Sequence, residues 1–134
     1  MAQNLSTVEH IYACFGQGDV PGILSKLSSD VSFFNAADPS VAPFGGTFKG
    51  KEGVAQFFTA LGTTTQTTLF QTSNFVENGR EVSNDVVHSG QVLANGQPFE
   101  VTAHFVWTFN EQGEVIDWTS SGDFSSLNAA MATS

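Results

Sequence analysis

Cysteine is almost absent from the chain, which has a single residue of this type, Cys14. One thiol cannot form an intrachain disulfide, so the fold must be stable without covalent cross-links. Cys14 falls in an apolar pattern of helical spacing, where a free thiol behaves as a small hydrophobic side chain. The scarcity of cysteine therefore argues against a disulfide framework and against thiol catalysis.

Basic residues are also scarce, because 4 Lys and Arg stand against 13 Asp and Glu and give a formal net charge of -9 at pH 7. Such a chain is repelled by nucleic acid and by anionic membranes, so we expect neither as a partner. No apolar run approaches the roughly 20 residues of a membrane helix, and the first residues lack the pattern of a secretory signal. We therefore expect a soluble, cytoplasmic protein.

Phenylalanine is abundant, with 13 residues among 134, and hydrophobic residues make up 40% of the chain. This composition excludes disorder and predicts a core built from aromatic rings. A chain of this length can bury such a core as one unit, so we expect a single domain over residues 1–134. Large rings leave irregular space between them, and the function depends on whether a small molecule occupies that space.

Helical signals dominate the first half of the chain. Ser6 and Glu9 form a predicted capping box for a first helix, which ends near residue 16. Asp19 is predicted to cap a second helix that continues to about residue 28. The apolar spacing of residues 51–61 predicts a third helix.

Strands are predicted in the second half, where apolar and polar residues alternate and Asn-Gly turns separate the segments. On the strand over residues 99–109, the alternation places Phe105 and Trp107 on one apolar face. Ile116 and Trp118 are predicted to continue this face on the next strand. The predicted strands span residues 31–35, 67–77, 81–94, 99–109 and 115–124, and a loop with proline and glycine spans residues 36–46.

Helices followed by a run of antiparallel strands form an α+β order. Within this order, short motifs resemble those of the nuclear transport factor 2-like superfamily, and more closely its SnoaL-like, ketosteroid isomerase-related branch. The similarity spans about residues 5–131. The motifs are Phe15-Gly16-Gln17-Gly18-Asp19, Ser29-Asp30-Val31 and the runs from Pro43 to Val54, from Asn95 to Val101 and from Ala103 to Phe109.

The resemblance implies a cone-shaped α+β fold, nuclear transport factor 2-like or cystatin-like. In this fold three N-terminal helices pack on a strongly curved, mainly antiparallel sheet. It also implies a deep pocket for a small hydrophobic ligand and a homodimer formed through the outer face of the sheet. Members of the superfamily differ in activity, so the pocket residues must identify the reaction.

Comparison with the steroid isomerases of this fold argues against their chemistry in this chain. Their catalytic carboxylate corresponds to Asn35, whose amide has no useful basicity but could orient a substrate or water. Their oxyanion-binding tyrosine and second carboxyl group correspond to Ile11 and Phe105. All three catalytic positions differ, so steroid isomerase activity is not expected.

Two other residues are candidates for catalysis. His88 shares a strand face with Val86 and Val92, which the resemblance assigns to the pocket, and its imidazole could act as acid or base or form a hydrogen bond in the core. Asp123 lies where related proteins carry a functional aspartate. Strict strand alternation turns Asp123 outward, however, and it could instead cap a short C-terminal helix. His104 is expected to point outward, towards a dimer contact.

Two functions stay open. In the first, a SnoaL-like protein binds a small hydrophobic molecule and catalyses proton transfer on a carbonyl compound, as an isomerase or cyclase does, with His88, Asp123 and Asn35 as catalytic candidates. In the second, the fold is a non-catalytic ligand-sensing or dimerisation module.

No histidine spacing or glycine-rich loop predicts a metal or a cofactor. The expected ligand-binding residues are Tyr12, Phe15, Phe33, Phe57, Phe58, Trp107 and Trp118.

Overall fold

The structure is a computed structural model that describes residues 3–132. The helices and strands of this part of the chain follow one another in the order α1, α2, β1, β2, α3, β3, β4, β5, β6, α4. The helices are α1 (Gln3–Gln17), α2 (Val20–Leu24), α3 (Gly50–Thr64) and α4 (Ser125–Ala132). The strands are β1 (Leu27–Asn35), β2 (Gly46–Lys49), β3 (Thr65–Asn78), β4 (Glu81–Val92), β5 (Pro98–Phe109) and β6 (Val115–Asp123).

One curved sheet contains these strands in the order β2-β1-β6-β5-β4-β3. Neighbouring strands are antiparallel except β1 and β6, which run parallel with Phe33 opposite Trp118. The parallel contact joins an early strand to the last one. The predicted α+β class with a mainly antiparallel sheet is confirmed.

The inner face of the sheet and the helices form one apolar core. Ile11 of α1, Phe57 of α3 and Leu127 of α4 are buried against it. None of the helices among the described residues has both the length and the apolar character that a membrane span requires. Along β5, the side chains that the alternation assigns to the core are indeed buried, with Phe105 partly so: Phe99, Val101, Ala103, Phe105, Trp107 and Phe109.

Two predicted helix boundaries are wrong. α1 already includes Gln3, so Ser6 lies inside the helix and does not cap it. Asp19 does cap α2, because its Oδ1 accepts a hydrogen bond from the Gly22 backbone N–H at 3.0 Å, but the helix ends at Leu24. Leu27 already belongs to β1, where it lies opposite β6, and this tertiary pairing ends the helix early.

Two strand predictions also need correction. β2, which pairs with β1 at the edge of the sheet, was not predicted because its four residues carry too short a pattern. Ile116 was expected in the core but is 36% exposed. The ladder between β5 and β6 shifts register beside Phe109, so Val115 lies opposite Phe109 and is buried in its place.

Candidate functional site

A cavity of about 70 Å³ lies between the inner face of the sheet and the helices. Within residues 3–132, no Asp, Glu, Lys or Arg borders it. Its wall consists mainly of aromatic and aliphatic side chains. It includes all seven residues that were expected to bind a ligand: Tyr12, Phe15, Phe33, Phe57, Phe58, Trp107 and Trp118.

A groove of about 550 Å³ adjoins this cavity and lies between α1, α2, α3 and β3. The groove and the cavity share several wall residues, among them Phe58 and Phe70. Gly16 and Gly62 face the groove from α1 and α3 without side chains, and Thr67 borders it from β3. The groove is therefore wider and more polar than the cavity beside it.

The aromatic rings of the cavity wall interlock. Phe33 is central, with its ring centroid 5.0 Å from Trp118 and 5.9 Å from Trp107, the latter ring being nearly perpendicular to it. Trp118 also meets Phe105 edge to face at 4.9 Å. Such geometries stabilise aromatic pairs and fix the orientation of each ring. The rings thus fill much of the space enclosed by the sheet, which explains the small volume of the cavity.

A chain of hydrogen bonds crosses the cavity wall. The Trp107 indole N–H donates to the Tyr12 hydroxyl at 3.1 Å, and this hydroxyl donates to Oδ1 of Asn84 at 2.7 Å. Asn84, which is fully buried, donates in turn to the backbone carbonyl of Asp85. Burial raises the pKa of Tyr12 to about 12. The hydroxyl hydrogen of Tyr12 is therefore directed to Asn84, and sequence reasoning missed Asn84 altogether.

His88 borders the cavity on β4, as its strand face indicated. Its ring lies between Phe70 and Phe99, with both centroids at 5.4 Å, and its Nε2 is 2.8 Å from Oγ1 of Thr67. Loss of hydration in this apolar setting lowers the pKa of His88 to about 4. The imidazole is therefore uncharged at neutral pH.

Asn35 is buried at the C-terminal end of β1 and also borders the cavity. Its Oδ1 accepts a hydrogen bond from the Ala37 backbone N–H at 2.9 Å, which fixes the loop after the strand. Ile11 and Phe105, the other two positions matched to the steroid isomerases, border the same cavity. None of these three side chains can act as an acid or a base.

Asp123 and His104 lie away from the cavity wall. Asp123 Oδ1 accepts hydrogen bonds from the N–H of Ser125 at 3.0 Å and from its hydroxyl at 2.6 Å, so it caps α4. These bonds hold the pKa of Asp123 below its usual range. His104 is exposed on the outer face, where its Nδ1 lies 2.9 Å from Oδ1 of Asp85. Asp123 thus has the alternative role of helix cap.

Metal-binding clusters are missing from the part of the chain that the structure describes, where no three His, Cys, Asp or Glu side chains are arranged to hold an ion.

The family profile of the SnoaL-like domain matches residues 8–118. The chain therefore belongs to the SnoaL-like family, and the resemblance drawn from its motifs is confirmed. No curated protein matches the chain.

Solved structures of the nuclear transport factor 2-like fold superpose closely on this chain. An NTF2-like protein of unknown function from Burkholderia pseudomallei has a TM-score of 0.88 at 23% identity, over 99% of this chain and 100% of that chain. TerC, co-crystallised with polyporic acid, has a TM-score of 0.84 at 20% identity, over 98% and 99% of the two chains. A hypothetical protein with a ketosteroid isomerase-like fold from Catenulispora acidiphila, in complex with trimethylamine, has a TM-score of 0.77 at 15% identity, over 93% of this chain and 91% of that chain. At these identities the likeness shows the fold alone.

Proposed function

We propose that the protein binds a small, uncharged molecule, rich in rings or hydrocarbon, which passes from the groove into the cavity. The observation that carries this proposal is the cavity wall, which is largely aromatic and has no charged side chain among the described residues. Burial of apolar surface supplies the affinity. An ionised ligand would lose its hydration without gaining a partner of opposite charge. A ligand held without turnover would make the protein a sensing or carrier module.

The volumes indicate how such a ligand sits. Ligand pockets commonly have roughly 300–1,000 Å³, so a cavity of about 70 Å³ holds only one end of a molecule. The adjoining groove of about 550 Å³ has room for the remainder. Phe58 and Phe70 border both spaces and would contact the middle of the ligand. An elongated molecule with its apolar end inside fits this arrangement.

A pair of fluorescent probes tests the proposal. N-phenylnaphthylamine is uncharged, and anilinonaphthalene sulfonate has the same rings with an added anionic group. We expect the uncharged probe to bind with one-site saturation and a blue-shifted emission, and the sulfonate to bind at least tenfold more weakly. Phe58→Ala, which alters the shared wall, should change the affinity for the uncharged probe. Equal binding of both probes, or of neither, would overturn the proposal.

A second candidate function, proton transfer on a carbonyl compound, rests on His88. Its uncharged imidazole borders the cavity and has one nitrogen held by Thr67. In the tautomer with hydrogen on Nε2, the Nε2–H donates a hydrogen bond to Oγ1 of Thr67, and the free lone pair of Nδ1 can accept a proton from a carbon next to a carbonyl group. A base of this low pKa suits only acidic carbon–hydrogen bonds. Asn35 could orient the carbonyl oxygen, whereas Asp123 lies too far out to take part.

Deuterium exchange into benzoylacetone, followed by NMR, measures this activity without a known substrate. Catalysed exchange should disappear in His88→Gln, which keeps a polar side chain, and persist in Asp123→Asn. The rate should be independent of pH above about pH 5 and fall as the pH approaches the His88 pKa of about 4. Exchange at the same rate in His88→Gln would remove His88 from the reaction.

We also propose that two copies of the chain form a homodimer through the outer face of the sheet. We further propose that the protein is located in the cytoplasm. Phe34 and Leu69 support the dimer, since they are 43% and 39% exposed on strands of that face. The free thiol of Cys14 suits a reducing compartment. Sedimentation equilibrium should give twice the monomer mass, and Phe34→Glu should give the monomer. A monomeric wild-type protein would refute the dimer.

A further inference from the structure

A β-bulge in β3 brings the Thr67 hydroxyl to the inner face of the sheet. Thr67 and Phe70 are three residues apart, so a regular strand would place them on opposite faces. The ladder to β4 shifts register between Thr67 and Leu69, and both Thr67 and Phe70 border the groove. Gly90 lies opposite Thr67 and makes room for the bulge, because a Cβ there would overlap the carbonyl oxygen of Gln66. Bulges often redirect a side chain beside a functional site.

The redirected hydroxyl is the hydrogen-bond partner of the His88 imidazole, with 2.8 Å between Oγ1 of Thr67 and Nε2. The other ring nitrogen, Nδ1, has no hydrogen-bond partner among the described residues. Unlike Nε1 of Trp118, this nitrogen is not one of the fully buried unpaired atoms of the described chain, and His88 borders the cavity. A small molecule in the cavity can therefore reach Nδ1.

The hydrogen bond to Thr67 decides which nitrogen of His88 carries the hydrogen. With the hydrogen on Nε2, this N–H donates to Oγ1 of Thr67, and Nδ1 keeps a lone pair. With the hydrogen on Nδ1, an N–H group would have only the weakly accepting rings of Phe70 and Phe99 beside it. An unpaired N–H is rarer in proteins than an unpaired acceptor, so the first tautomer is favoured. His88 thus presents a hydrogen-bond acceptor to the cavity.

We propose that Nδ1 of His88 accepts a hydrogen bond from a hydroxyl group of the ligand, as in a phenol or an alcohol, and that Thr67 is the positioning residue that fixes this acceptor. This inference rests on the proposed binding function and names a chemical group of the ligand. A hydroxyl group supplies the hydrogen that the lone pair of Nδ1 lacks. Phe70 contacts the His88 ring and borders both the cavity and the groove, so the hydroxyl group lies near the junction of the two spaces.

Other polar groups fit this position less well. An ether oxygen would bring its own lone pairs against that of Nδ1, and neither atom has a hydrogen to share. An ionised group would lose its hydration, and the described wall has no charged side chain to offset the loss. A phenol is uncharged at neutral pH, because its pKa is about 10. The subsite therefore distinguishes ligands of the same shape by one hydrogen.

Two probes of nearly equal shape test this subsite: 1-naphthol, and 1-methylnaphthalene, in which a methyl group replaces the hydroxyl. The chain has three histidines, and His88→Phe assigns the His88 signals in a long-range ¹H–¹⁵N spectrum. The free protein should show the tautomer with hydrogen on Nε2. 1-Naphthol should move the Nδ1 signal upfield, and 1-methylnaphthalene should leave it nearly unchanged.

Affinities measured by titration calorimetry complete the test. The ratio of the affinity for 1-naphthol to that for 1-methylnaphthalene should fall roughly tenfold in His88→Phe, which keeps an aromatic ring but removes the acceptor. Thr67→Val removes the hydroxyl at almost equal size, so the ratio should fall and His88 should populate both tautomers. Thr67→Ser restores the hydroxyl and should restore the ratio and the single tautomer.

The outcomes separate the subsite from the binding function. If the ratio is the same in the wild type and in His88→Phe, and the Nδ1 signal does not move, the subsite is refuted and cavity binding stands. An unchanged ratio and tautomer in Thr67→Val would refute the positioning role of Thr67. If neither probe binds the wild-type protein, the subsite and the proposed function fail together.

Discussion

The hydroxyl of Tyr12 accepts a hydrogen bond from Trp107 and donates one to Asn84, so these three buried groups satisfy one another. The indole N–H of Trp118, on the same cavity wall, is buried and has no acceptor among the described residues. Self-contained polar groups contribute to stability, because their loss leaves buried partners unpaired. An unpaired buried donor instead lowers stability, because it has lost its hydration without gaining a partner. Loss of a paired group and loss of the unpaired Trp118 N–H should therefore affect stability differently.

The Tyr12 hydroxyl should contribute measurably to stability. Tyr12→Phe leaves Oδ1 of Asn84 and Nε1 of Trp107 without partners, so we expect a loss of about 1–3 kcal/mol in the free energy of unfolding. Urea unfolding measures this loss, and the Trp107 indole signal should move while that of Trp118 stays. The double variant Tyr12→Phe, Asn84→Val should lose less than the sum of the single variants. Additive losses would show that the two groups are not coupled.

His88 should make stability depend on pH. Its pKa is about 4 in the folded chain, below the ordinary histidine value of 6.5, so the unfolded chain binds more protons between these two pH values. Stability therefore rises with pH through this window and is fully developed above it. Between pH 7 and pH 5, His88 should account for a loss of about 2 kcal/mol. Urea unfolding of the wild type and of His88→Gln should show a steeper dependence in the wild type, and equal slopes would contradict the assignment.

Secondary-structure elements were predictable where a pattern repeats over many residues. The alternation along β5 and the Asn-Gly turns correctly located the long strands, and the inward position of His88 followed from its strand. Asn84 could have been noticed as a polar residue between the buried Val82 and Val86. The burial of Val115 in place of Ile116 could not, because the register shift beside Phe109 depends on how two strands meet. Nor does any pattern reveal that the Trp118 indole lacks a partner.

Gly122 controls the end of β6 and the start of α4. It has a positive φ of 129°, and a Cβ at this position would overlap the carbonyl oxygen of Thr102 on β5. Gly122→Ala should therefore lower the free energy of unfolding by about 3 kcal/mol. Gly96 is the matched control, with a positive φ of 70° and no atom within 4 Å of the position that a Cβ would take. Gly96→Ala should cost about 1 kcal/mol, and equal losses in urea unfolding would show that the close approach is unimportant.

At the scale of the whole molecule, a chain of negative net charge encloses a cavity whose described wall is uncharged, and a groove adjoins that cavity. The chain has a formal net charge of -9, whereas the described cavity wall carries no charged side chain. The surface therefore repels anions, and the interior offers them no partner. The groove between α1, α2, α3 and β3 adjoins the cavity. Selection for uncharged ligands thus operates at the surface and again at the cavity.

Access through the groove can be blocked without strain. Gly16 and Gly62 border the groove from helices, and a Cβ at either position meets no atom within 4 Å. Gly16→Leu together with Gly62→Leu should weaken binding of N-phenylnaphthylamine at least tenfold, while stability stays equal or rises by about 1 kcal/mol. Alanine at both positions is the control for helix propensity. If the leucine and alanine variants bind the probe equally, the ligand reaches the cavity by another route.

The parallel contact between β1 and β6 has a consequence for the way the protein is made. Phe33 and Trp118 lie opposite each other but are more than 80 residues apart in the chain. At typical rates of synthesis, roughly 4 to 17 seconds separate their emergence from the ribosome. During this interval the inner face of β1 has no β6 beside it, and its rings are exposed to whatever is nearby. A hydrophobic ligand present during translation could therefore be enclosed as the sheet closes. Such a ligand would then co-purify with the protein.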